Sequence, residues 1–156
     1  MKHEKSFTTP SKQAQGNIYL MEGNNQPTGG LILRTLAMPA DTNPDGDIFG
    51  GWIMSQMDIA GGILAREKTC SRVVTVAVES ITFIKPVQVG DVVCCYGEVV
   101  KIGTTSITID LEVWVKPAFG RPVGENVKFQ VTKAAFTYVA VDTEGKKQII
   151  PRNCNC

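Results

Sequence analysis

Between Phe49 and Leu64 the apolar residues recur at Phe49, Trp52, Ile53, Met57, Ala60 and Leu64, the spacing of one face of a helix. A turn-rich segment, Asn43-Pro44-Asp45-Gly46, precedes them, so the pattern predicts a helix of about five turns that starts near Ile48. A surface helix would carry charge on its other face. Here that face carries Gly51, Met54, Asp58, Gly61, Gly62 and Ala65, which predicts a buried helix with no solvated stripe.

The remaining periodicities are those of strands. Gly30 to Ala37 reads as a first strand, closed by Met38-Pro39. After the helix, Val73 to Ile84 is rich in β-branched residues on both faces, which predicts a strand covered on both sides, and Lys85-Pro86 ends it. Val92 to Ile102 and Ser106 to Lys116 flank a short connection, Gly103-Thr104-Thr105, and so read as a hairpin. In the second of these, Ile107, Ile109, Leu111, Val113 and Val115 alternate with Thr108, Asp110, Glu112 and Trp114, so one face should be the wetter. A loop punctuated by Pro and Gly, Pro117 to Asn126, leads to a last strand, Val127 to Asp142, and the polar chain from Thr143 should trail over the surface. One strand, one long helix and four mostly antiparallel strands make an α+β layer with the helix on the sheet. A single domain is expected over residues 31–151. Residues 1–30, polar and ending in Pro27-Thr28-Gly29-Gly30, should form a disordered or loosely attached arm, and residues 152–156 a short tail.

Two features of the helix work against its stability. It contains Gly50, Gly51, Gly61 and Gly62, each costing roughly 1 kcal/mol against Ala, and a carboxylate, Asp58, whose burial is unfavourable unless it is paired or used. Without Cβ atoms at Gly50 and Gly51, a ligand or another backbone can come up against the first turn. The amides of that turn have no intrahelical partner and lie at the positive end of the helix dipole, so they can hold an oxyanion or polarise a carbonyl. An Asp in apolar surroundings should have a raised pKa and act as base or nucleophile. These are the parts of an acyl-transfer site. Gly50 and Asp58 are nevertheless separated by roughly 12 Å along the helix axis at about 1.5 Å per residue. To serve one carbonyl they must come from two copies of the helix running antiparallel across a two-fold axis, which predicts an obligate dimer with two shared sites.

Composition narrows the chemistry further. The chain has 156 residues, 43% hydrophobic and 20% charged, as an ordinary globular domain does. With 16 Lys and Arg against 15 Asp and Glu there is no basic field for nucleic acid, so an anionic ligand must be met by a local cluster. No apolar run approaches a membrane span and the N-terminus lacks a hydrophobic leader segment, so no membrane partner and a cytoplasmic location are expected. The cysteines, Cys70, Cys94, Cys95, Cys154 and Cys156, are odd in number, and neighbours in a strand point to opposite faces; free thiols are expected. The single histidine, His3, lies in the expected arm, which removes Ser-His-Asp and Cys-His nucleophile systems and histidine-dependent dehydratases. There is no Cys-x-x-Cys pair and no phosphate-binding glycine loop, and Asp41, Asp45 and Asp47 lack the calcium-loop pattern with its closing Glu. What survives is carboxylate chemistry with no metal or redox cofactor.

Several motifs occur together in order: Asp41-Thr42-Asn43, Gly46-Asp47-Ile48-Phe49-Gly50-Gly51, Met57-Asp58, Val74-Thr75-Val76-Ala77-Val78, Phe83-Ile84-Lys85-Pro86 and Val89-Gly90-Asp91. In these the chain resembles the hotdog-fold acyl-CoA thioesterases, in particular the bacterial YciA-type subfamily, from about Leu31 to Pro151. The resemblance implies a five-stranded antiparallel sheet wrapped around one long central helix, two-fold dimers with a continuous sheet, and trimers of those dimers. It also implies hydrolysis of acyl-CoA thioesters to free acid and CoA. By the same resemblance Asp58 matches the general base or nucleophile, an amide at Gly50 or Gly51 the group that polarises the thioester carbonyl, and Asn43 the amide side chain that orients the water or thioester, with carboxylate and amide side chain on different protomers.

Each of these residues also has a plainer role open to it. Asp58 could cap a loop or bond a hydroxyl, Gly50 and Gly51 could serve helix packing, and Asn43 before a proline could be a turn residue. Asp47 is expected as the helix N-cap. Glu79 fits either an edge position or a partner of the site. For the CoA phosphates the candidates are Lys85, Arg34, Lys101, Arg121 and Lys128, with Lys85 preferred for its place at a strand end in a matching motif. The alternative to an enzyme is a hotdog module that binds acyl-CoA as a sensor without turning it over; a hotdog hydratase or dehydratase is disfavoured by the missing histidine.

Overall fold

The computed structural model describes residues 26–119 and 128–153. Five strands, β1 (Gly30–Leu36), β2 (Arg72–Phe83), β3 (Val92–Ile102), β4 (Ser106–Lys116) and β5 (Phe129–Val141), form one sheet in the order β1-β3-β4-β5-β2. All four pairings are antiparallel. The helix α1 (Gly50–Thr69) therefore joins the two edges of the sheet and has to cross its whole width, and it touches every strand on the way. A short 3-10 turn, Pro39–Asp41, and a bridge between Thr42 and Ile48 lead from β1 into it.

The core lies between α1 and the face of the sheet that follows the period-two alternation. Ile53, Met57, Ala60 and Ala65 pack there against Ile107, Ile109, Leu111, Val113 and Val115 of β4, and Val131, Phe136 and Tyr138 of β5 join them. The other face of β4 is only half as wet as its alternation predicts. Thr108 and Asp110 are partly exposed, but Glu112 and Trp114 are buried, because the Trp114 indole donates to Glu112 at 2.8 Å and the Thr28 amide donates to the same carboxylate at 3.2 Å.

Three expectations change at the level of the fold. The helix is not buried all round in the protomer: Gly51, Ser55, Asp58, Ile59 and Ile63 are exposed, since one sheet covers only one side of a helix. Strand β2 is not covered on both sides either. It is a sheet edge, with Val74, Val76 and Val78 exposed at 40, 54 and 37%. The chain after Thr143 does not trail; the Ile150 amide donates to Thr104 and the Gln148 amide to Ala140, and Ile150 is buried. Most of the expected arm, and Cys154 and Cys156, lie outside the described residues.

The end of α1 brings a fourth correction. Cys70 sits in the left-handed region (φ 46°), where its amide closes the helix on Arg66, and it is disulfide-bonded rather than a free thiol, whereas Cys94 and Cys95 are free and buried. The expectation failed because a disulfide depends on which cysteines the fold brings together, and spacing along the chain does not report that.

Candidate active site

The start of α1 is left open by its own sequence. The N-cap is Phe49, which has no side-chain hydrogen bond to offer, and the first helical bond runs from the Ile53 amide to the Phe49 carbonyl at 3.2 Å. The amides of Gly50, Gly51 and Trp52 precede that bond, so they are the donors of the first turn. Asp47 is therefore not the N-cap. It is held two residues upstream, where its carbonyl accepts from the Asn43 amide at 2.7 Å. A Cβ built at Gly50 would meet the Phe83 ring at 3.3 Å, whereas one built at Gly51 would meet nothing within 4 Å, so the approach to Gly51 is clear.

Asn43 closes the loop before the helix. Its Oδ1 accepts from the backbone amides of Asp45 and Asp47, both at 3.0 Å. Two N–H donors fix which end of the amide side chain faces the loop, so the Nδ2 donor must point away from it. The turn role and a functional role are thus assigned to different atoms of one side chain.

Asp58 lies midway along α1 at the side nearest β2. Its Oδ1 accepts a hydrogen bond from the Thr75 hydroxyl of β2 at 2.5 Å, and the single proton of the Tyr138 hydroxyl of β5 is shared between Oδ1 at 3.3 Å and the Asp58 backbone carbonyl at 3.2 Å. Thr75 and Tyr138 are partners in the β2–β5 register, which is why their hydroxyls arrive side by side. Burial pushes the Tyr138 phenol well above its ordinary 10.0, and the Asp58 charge and hydrogen bond add to this, so it stays a donor. Asp58 itself is exposed in the protomer, not buried as its apolar helix neighbours suggest, because the surrounding Ile59, Ile63 and β2 valines have no cover within one chain. Tyr138 does not follow from motif spacing; for Thr75 the usable signal is its place as the one polar residue of the Val74-Thr75-Val76-Ala77-Val78 motif.

The cations are spread out. Lys85 follows β2 just beyond the Phe83 ring that covers Gly50, with its Nζ 5.0 Å over the Phe129 ring. Arg34 stands on β1, paired with Cys94 at the opposite sheet edge, so one protomer does not bring it to Asp58. Arg121 lies outside the described residues. Among the described residues no three His, Cys, Asp or Glu side chains are grouped so as to hold a metal ion, and no helix is long and apolar enough to cross a membrane.

Residues 45–118 match the thioesterase superfamily model. The acyl-CoA thioester hydrolase YciA of Escherichia coli (strain K12) is 60% identical over 128 residues, which cover 82% of this chain and 96% of that protein. The chain belongs to the thioesterase superfamily. Among solved structures, this thioesterase is similar to a hexameric broad specificity acyl-coenzyme A thioesterase, with a TM-score of 0.78 and 62% identity over 83% of this chain and 86% of the other. An aspartate-to-alanine mutant of that enzyme has also been solved. The chain is also similar to an acyl-CoA hydrolase from Staphylococcus aureus, solved with butyryl coenzyme A and coenzyme A, at a TM-score of 0.67 and 28% identity over 76% of this chain and 70% of that one. Alanine mutants of that hydrolase at an asparagine, an aspartate and a threonine have been solved too. The hotdog architecture expected from the motifs, one long helix on a five-stranded antiparallel sheet, is the one present.

Proposed function

We propose that this protein hydrolyses acyl-CoA thioesters to the free carboxylic acid and CoA, with the Asp58 carboxylate as general base or nucleophile. The observation that carries the proposal is the carboxylate on α1, held at Oδ1 by two strand hydroxyls while Oδ2 has no partner among the described residues. The relatives support it. The three residues replaced in the S. aureus hydrolase have the same spacing along that chain as Asn43, Asp58 and Thr75 have in this one.

The site is completed by a second copy. Asp58 and the Gly50–Gly51 turn belong to one continuous helix and stay roughly 12 Å apart within it. The exposed valines of the β2 edge and the uncovered Ile59 and Ile63 supply an apolar surface on which a second sheet edge and helix can pack. Continuation of the sheet across β2 would set two α1 helices side by side, so that each Asp58 faces the other copy's helix start. Several relatives are hexameric, which a trimer of such dimers satisfies.

In the shared site a Gly50 or Gly51 amide polarises the thioester carbonyl and the Asn43 Nδ2 donor orients the thioester or the water. As a base, Asp58 takes a proton from water while the new C–O bond forms; the tetrahedral oxyanion rests on the helix amides until the C–S bond breaks and the CoA sulfur is protonated. As a nucleophile, it would instead attack the thioester carbonyl, expelling the CoA thiolate as the C–S bond breaks and leaving a mixed anhydride, which water opens to the free acid and the Asp58 carboxylate. Single-turnover hydrolysis in heavy-oxygen water separates the two by label in the protein carboxylate. Lys85, Arg34 and Arg121 are assigned to the CoA phosphates on charge alone. The reaction requires no resident cofactor, and a cytoplasmic setting goes with the CoA-ester substrate.

A panel of acyl-CoA esters read by free-thiol release tests the reading and its chain-length range. Turnover by the protein and its loss in Asp58→Ala are expected. Tight acyl-CoA binding with no turnover across the panel would make the protein a sensor instead.

A further inference from the structure

An exposed carboxylate on a helix is free to rotate into solvent unless its neighbours set its orientation. Tyr138 is 1% exposed, with its ring in the core beside Phe136, and its hydroxyl emerges on the helix side at Asp58. It reaches that position only through Gly61. A Cβ there would lie 2.1 Å from the hydroxyl oxygen, 2.8 Å from the ring carbon that bears it and 2.9 Å from Leu111. No side chain tolerates such distances, and neither a helix backbone nor a ring locked in the core can move aside cheaply. The Gly61 position is therefore a notch cut for one hydroxyl.

We propose that Tyr138, admitted by Gly61, is a positioning residue for the reaction: together with Thr75 it ties Oδ1 of Asp58 to the sheet and so presents Oδ2 to the substrate. Tyr138 touches no reacting atom in this scheme and acts only through the carboxylate. The proposal rests on the thioesterase reading of Asp58. It explains why a helix that already carries glycines at its first turn has another in its middle, where no substrate amide contact is needed. Gly62, next to it, gives the contrast, because a Cβ there would meet nothing within 4 Å.

The test is Tyr138→Phe in the full chain, with a thermal melt to confirm folding and kcat and KM measured separately on a short acyl-CoA. At neutral pH kcat should fall about 5–30-fold with KM within about twofold, the signature of a lost orientation rather than lost binding. Gly61→Ala displaces the same hydroxyl by another route and should give the same split between kcat and KM. Folded variants at both positions with the native kcat would overturn the proposal. Asp58→Asn is run alongside: if it is inactive while Tyr138→Phe behaves as native, only the positioning role fails, and if it is active, the reading of Asp58 fails first.

Discussion

Asn43 permits a prediction that separates a structural role from a chemical one within a single side chain. Its Oδ1 accepts two loop amides at 3.0 Å, one exposed and one partly buried, while Nδ2 is turned away from the loop. Asn43→Ala removes both functions. With about 0.5–1.5 kcal/mol for each net hydrogen bond, and little for the exposed one that water replaces, it should destabilise by roughly 0.5–1.5 kcal/mol. That corresponds to about 1–6 °C in melting temperature for a chain of this size. Asn43→Asp keeps the acceptor and removes only the donor, so stability should change by less than about 0.5 kcal/mol. Its kcat/KM should nonetheless fall about a hundredfold, the scale of one lost donor to a reacting oxygen. The added charge near Asp45 and Asp47 is a second possible cause, which salt distinguishes: a charge effect is screened between low and high ionic strength, and a missing donor is not. The assay is free-thiol release at two salt concentrations together with a thermal melt. Near-native activity in Asn43→Asp, with loss only in Asn43→Ala and in proportion to its instability, would refute the reasoning and leave Asn43 as a loop residue.

Asp58→Asn should preserve the fold, since the side chain is exposed in the protomer, and lower turnover by at least about a thousandfold; near-native free-thiol release would remove Asp58 from the mechanism. Val76→Glu places a charge on the exposed β2 edge and should both lower the mass seen in sedimentation velocity and abolish turnover, whereas a dissociated and fully active protein would sink the shared site. Burial, and then the neighbouring Cys94, push the Cys95 thiol from 9.0 up to about 12. Because the folded state then holds its proton longer than the unfolded one, stability should be unaffected below pH 9 and fall as pH rises toward 12, by up to about 1.4 kcal/mol per pH unit from this group. Urea titrations at pH 8 and 9.8 should show this, and Cys95→Ala should flatten the difference; an equal slope with and without the thiol would contradict it.

Local pattern was enough for most of the elements. The Ser106–Lys116 and Val92–Ile102 strands start and end where alternation and the Gly103 turn place them, and the inner face of β4 is the apolar set read from the chain. The helix, its glycines and Asp58 stand out because period, turn chemistry and an isolated charge are all properties of neighbouring residues. Tertiary structure decided whatever depends on residues remote in the chain. Tyr138 meets Asp58 across 80 residues, and nothing in the spacing of either reports the other. The reason for Gly61, the direction of the Asn43 amide, the Thr75 bond and the Cys70 disulfide are of this kind. Exposure is as well: β2 and the outer side of α1 read as buried from their apolar composition, but the protomer leaves Val74, Val76, Val78, Ile59 and Ile63 without cover.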